Sequence, residues 1–119
     1  MLNLRRCVVG VVAVLLMSVV ALAQTSETAF IAELRAKANA GDAKAKYNLG
    51  VMYYTGLGVP QDYVEAHKWH NLAASRASTE NRKTFADARD SLAEKMTPQQ
   101  IVDAQQRATE WLAAFEQRN

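Results

Sequence analysis

The fold is decided by the stretch from Gly41 to Ala74, GDAKAKYNLGVMYYTGLGVPQDYVEAHKWHNLAA, which reads as two helices joined by a glycine-rich corner. Gly41 supplies a left-handed stop for the segment before it, and Asp42 is a good N-cap for a helix running to about Thr55. On a helical projection, Ala45, Leu49, Met52, Tyr53 and Gly56 gather on one side, and Tyr47, Val51 and Tyr54 lie nearly opposite. Only Lys44, Lys46, Asn48 and Thr55 interrupt the apolar circumference. Such a helix must touch neighbours on both sides or offer its second face to a partner. Gly56-Leu57-Gly58-Val59-Pro60 then turns the chain: the glycines permit positive φ, and Pro60 forbids helix at Val59. Asp62 opens another helix, on which Ala66, Trp69 and Ala73 set a large side chain between two small ones, a packing device.

Working outward from this pair, the pattern predicts a preceding helix that begins after Thr25 or Ser26 and stops at Asn39-Ala40-Gly41, with Phe30, Ile31, Leu34 and Ala38 on its apolar face. After Ala74 comes a polar connector in which Ser78 or Thr79 can cap a fourth helix striped by Phe85, Ala88, Leu92 and Met96. Thr97-Pro98-Gln99-Gln100 is a capping box with proline at the favoured first position. The last helix shows Ile101, Ala104, Ala108, Trp111, Leu112 and Phe115 on one face and is expected to close the end of the stack. No run of alternating β-branched residues predicts a strand. The expected fold is therefore all-α, a short solenoid of antiparallel helix pairs with about five helices.

The first residues read differently. Arg5 and Arg6, an apolar run over 8–20 and Ala21-Leu22-Ala23 match a secretory signal peptide over residues 1–23, cut before Gln24. The helical domain then spans 24–119, with a periplasmic or secreted location expected; the alternative for residues 1–23 is a membrane anchor that stays attached, since the apolar run is near the length of about 18–20 residues that spans a bilayer. The single cysteine, Cys7, lies inside that segment, so residues 24–119 have no thiol for a disulfide, a nucleophile or a metal. Without Arg5 and Arg6, the 14 Lys and Arg fall to 12 and balance the 12 Asp and Glu. A neutral chain with no basic stripe does not predict nucleic-acid binding, adhesion to anionic lipid, or stable membrane insertion once the leader is gone.

The central stretch resembles the Sel1-like repeat, a helix-turn-helix relative of the tetratricopeptide repeat. The resemblance rests on Gly41-Asp42-Ala43, Leu49-Gly50 with Tyr53, Gly56-x-Gly58-Val59, Asp62, and Ala66, Trp69 and Ala73-Ala74. The tail from Arg89 to Trp111 is similar to the closing segment of small exported bacterial proteins that carry such repeats. One full repeat is expected at about 41–75. Residues of about 80–117 form a degenerate capping pair, in which Ala108 and Trp111 repeat Ala66 and Trp69 after 42 residues without the glycine corner.

Chemistry-bearing patterns are sparse. His67 and His70 are spaced for one helix face, but His70 sits beside the Trp69 stripe and His67 is expected at the solvent edge, so no metal site is assigned. No G-x-S-x-G elbow, S-x-x-K spacing or phosphate loop occurs, and Asp87 and Asp90 alternate with Lys83 and Arg89 as a solvated face. The expectation is a protein that is not an enzyme and holds no cofactor. The resemblance to tetratricopeptide-type repeats implies that the first helix of a pair lines the concave side, which nominates Lys44, Tyr47, Val51 and Tyr54 as partner-binding. Two readings of that strip stay open: it is a docking face, or another helix covers it and makes Tyr47 and Tyr54 core. The function these readings favour is an exported interaction or adaptor module for a cell-envelope protein or peptide. The alternatives are an envelope ligand-binding or hydrolytic protein acting on cell-wall material, and a self-associating module acting as a homodimer.

Overall fold

A computed structural model describes residues 28–119. The expected signal peptide and the start of the first helix lie outside the described residues. Five helices follow one another: α1 (28–39), α2 (Ala43–Thr55), α3 (Tyr63–Ser75), α4 (Thr79–Ala93) and α5 (Pro98–Arg118), with no strand among the described residues. No helix among them is long and apolar enough to cross a membrane.

The punctuation behaves as the local chemistry requires. Gly41 has φ +105°, and the Asp42 carboxylate accepts from the Ala45 N–H at 2.9 Å. Gly56 and Gly58 both have φ +75°, a region a side chain rarely enters. The corner is closed by the Asp62 N–H donating to the Tyr53 carbonyl and by the Gln61 side-chain amide donating to the Tyr54 carbonyl. Asp62 then caps α3 through the Glu65 N–H. Thr97 and Gln100 form the expected reciprocal capping box at the start of α5. Ser78 occupies the N-cap position of α4, but its side chain makes no capping bond.

The helix at the centre is α3, which packs against α2, α4 and α5. Its small residues explain why: Ala66, Ala73 and Ala74 are buried and let three neighbours approach closely, while Trp69 and Leu72 fill the remaining volume. One cluster joins Leu34 and Ala38 of α1, Ala45 and Leu49 of α2, Trp69 and Leu72 of α3 and Ala108 of α5, with Trp111 and Leu112 against it. A second joins Ala66 to Leu92, Met96 and Ala104, and a third sets Ala73, Ala74 and Ala77 against Phe85. On α1, Ile31, Leu34 and Ala38 are buried as expected, whereas Phe30 is exposed.

Two expectations need correction. Rather than simply closing the end of the stack, α5 turns back to α1, where the Trp111 indole N–H donates to the Asn39 side-chain carbonyl at 3.3 Å. Lys46, expected to break the apolar surface of α2, is fully buried, and its ammonium sits 4.4 Å from the centroid of the Trp111 ring. The ring face replaces part of the lost hydration, although the Nζ makes no hydrogen bond and burial, aided by Arg76, lowers its pKa. Positions 42 apart do meet: Trp69 lies edge-on to Trp111 at 5.8 Å, and Glu65 accepts from Arg107 at 2.9 Å. Burial alone raises the Glu65 carboxyl pKa, but Lys68 and Arg107 together hold it below its ordinary value.

Candidate functional site

The second face of α2 looks onto α4 across a cavity of about 360 Å³. Tyr47, Val51, Tyr54 and Thr55 form one wall, Ala88, Ser91, Leu92 and Lys95 form the other, and His70 of α3 lines it between them. Tyr47, Val51 and Tyr54 on one wall and Ala88, Leu92 and Lys95 on the other follow one another by three or four residues, about one helical turn, so each wall keeps to one side of its helix. Tyr47, Val51 and Tyr54 are half-buried, so neither reading of the strip holds alone. α4 lies over the face but leaves a groove along it.

The ends of the groove differ. At one end the Tyr47 ring stacks on Phe85 at 4.7 Å and on His70 at 5.3 Å, tying α2, α3 and α4 through one column of rings. Lys44, nominated with the tyrosines, is exposed and does not line the groove. At that end Ala43, Tyr47 and Ala86 all pack against the cluster of Ala73, Ala74, Ala77 and Phe85. At the other end Tyr54 stacks on Tyr63 at 5.7 Å, and the Lys95 ammonium donates to the Tyr54 hydroxyl while sitting 4.9 Å from its ring centroid. That hydrogen bond raises the Lys95 pKa, so the cation persists throughout the neutral range.

His70 is 4% exposed and neither of its ring nitrogens makes a hydrogen bond. Its imidazole edge fits against Gly50, where a Cβ would come within 2.3 Å of the ring. Burial pushes its pKa down to about 4, with His67 adding repulsion and the Tyr47 backbone opposing weakly. The ring is therefore neutral near pH 7. His67 is only 3% exposed, not at the solvent edge, because α4 covers that side of α3. Burial and then Arg89 lower its pKa, against a smaller pull from Asp90.

The groove can desolvate an apolar side chain between Val51, Leu92 and Ala88, with aromatic rings at both ends and one lasting cation at one of them. Its lining contains no carboxylate, and the Thr55 hydroxyl is engaged by the Val51 carbonyl. No group of three or more His, Cys, Asp or Glu able to hold a metal occurs among the described residues. Asp87 and Asp90 pair with Lys83 and Arg89 on an exposed face. The sequence reading set Ala88 and Leu92 on an apolar stripe but not in a site; with Ser91, and with Lys95 just past the end of α4, they stand at i, i+3, i+4 and i+7.

Two helices joined by a left-handed glycine corner, with a further helix pair packed on the second of them, define a helix-turn-helix repeat architecture. The family model of the Sel1 repeat matches residues 43–78, so α2, its corner and α3 are similar to a Sel1 repeat. The comparison with curated proteins and that with solved structures each found no match. A Sel1 repeat points to a protein–protein interaction module, and the family is typically non-catalytic.

Proposed function

We propose that this chain is an exported adaptor that docks a protein or peptide of the cell envelope in the groove between α2 and α4. The observation that carries the reading is the contrast across α2: the Leu49 side is filled by neighbouring helices, whereas the Tyr47, Val51 and Tyr54 side borders about 360 Å³ of unfilled space. Export, to the periplasm or the medium, is supported by the basic, apolar and Ala-x-Ala pattern of residues 1–23. A tyrosine-lined groove suits such a partner because each ring offers an apolar body and a polar tip at small entropic cost.

The test is to fill the groove without touching the ring column. Ala88→Leu combined with Ser91→Leu adds apolar bulk at two lining positions. In a pull-down from the envelope fraction with the full chain as bait, the variant should keep the wild-type Tm and lose the proteins that the wild type retains. Equal retention by the filled variant would place docking elsewhere on the molecule.

A further inference from the structure

Resting on the groove as the docking face, we infer that its occupant is a short apolar segment carrying an acidic side chain within about three residues of its apolar anchor. Among the lining residues, Lys95 is the one permanently charged group, and no carboxylate balances it there. The Lys95 ammonium is held at the Tyr54 end by a hydrogen bond and by the ring face, so its position is set before any partner arrives. The middle of the groove is lined by Val51, Ala88 and Leu92. An occupant with its anchor in that middle and a carboxylate at the Tyr54 end meets apolar surface with apolar surface and cation with anion.

The length follows from the walls. Tyr47 to Tyr54 is seven residues along α2, or about 10 Å of helix. An extended chain covers that distance in about three residues. The carboxylate is assigned to a side chain rather than a chain terminus because terminal carboxylates are captured by nests of free backbone N–H groups. The lining residues from Tyr47 to Thr55 and from Ala88 to Leu92 lie inside α2 and α4, where those N–H groups are used within the helix. The remaining charged group is Lys95, which is exposed, so the pairing steers and orders the occupant more than it holds it.

The experiment is a methyl NMR titration of the full chain with four decapeptides in a Gly-Ser background. Three are capped at both ends and carry Leu-Phe-Glu, Leu-Phe-Gln or Leu-Phe-Lys. The fourth carries Leu-Phe-Gln at its end with a free terminal carboxylate. All capped peptides should move the Val51 and Leu92 methyl signals, with affinity falling about two- to fivefold from Glu to Gln and further to Lys. In Lys95→Glu the order should invert, with the Lys peptide binding best. An order that ignores charge, or one that survives Lys95→Glu, overturns the acidic-occupant inference and leaves the groove reading standing. Tighter binding of the free-terminus peptide than of the Glu peptide overturns the side-chain assignment. Shifts that avoid Val51 and Leu92 for every peptide, or no shifts at all, overturn both the inference and the groove reading.

Discussion

The two faces of α2 carry similar amounts of apolar surface and have opposite fates. Toward α1, α3 and α5 it presents Ala45 and Leu49, both buried in the largest core cluster. Toward α4 it presents Tyr47, Val51 and Tyr54, all half-buried along a groove. What separates them is the neighbour's reach. α3 brings Trp69 and Leu72 to the first face and α5 brings Ala108, whereas α4 meets the second with Ala88 and Ser91, too small to fill the gap. An apolar face that its own chain leaves partly uncovered marks where an interaction module has room for something else.

This comparison breaks most visibly if the filled face tolerates truncation. Leu49→Ala should cost about 2–5 kcal/mol in urea unfolding, because a fully buried leucine leaves a cavity among rigid helices. Val51→Ala, on the groove side, should cost under about 1 kcal/mol, and equal losses would erase the distinction.

The next effect lies at the boundary between the faces. His70 takes up a proton in the unfolded chain near its ordinary 6.5 and in the fold only near 4, so the fold favours the neutral ring. Its contribution is fully present above pH 6.5 and is lost as pH falls toward about 4. The size is about 3 kcal/mol, read as the difference between wild type and His70→Leu in the change of unfolding free energy from pH 7 to pH 4. A pH slope that survives His70→Leu unchanged would assign acid sensitivity to other groups.

Gly50→Ala sharpens the same boundary. Alanine improves helix propensity by about 1 kcal/mol, but its Cβ would meet the His70 ring at 2.3 Å and the Ala66 carbonyl oxygen at 3.2 Å. With a backbone oxygen also close to the new Cβ, crowding should win, giving a net loss of about 1–3 kcal/mol. A gain in Tm would show that α2 and α3 have slack between them. Smallest of all, Ser91→Leu should change stability by no more than about 0.5 kcal/mol, since it grows into open space.

Much of this architecture was legible because it depends on local chemistry. Asp42, Asp62 and the Thr97-Pro98-Gln100 box each announce a helix start that needs only its own neighbours, and the two corner glycines mark a turn that side chains resist. The errors lie where a distant element decides. Lys46 reads as a polar interruption until Trp111, 65 positions later, offers its ring, and His67 reads as exposed until α4 covers it. Three of the nominated residues, Tyr47, Val51 and Tyr54, do share the groove, but a third of its lining comes from α4, whose stripe was read as core alone.

The central claim is that partners dock between α2 and α4, and site-specific photo-crosslinking in cells producing the full chain tests it most directly. A benzophenone side chain placed at Ser91 in the groove should give a discrete adduct that Ala88→Leu abolishes, while the same probe at the exposed Gln105 of α5 gives none. Adducts of equal yield from both positions, or an adduct at Ser91 that persists in Ala88→Leu, would contradict it.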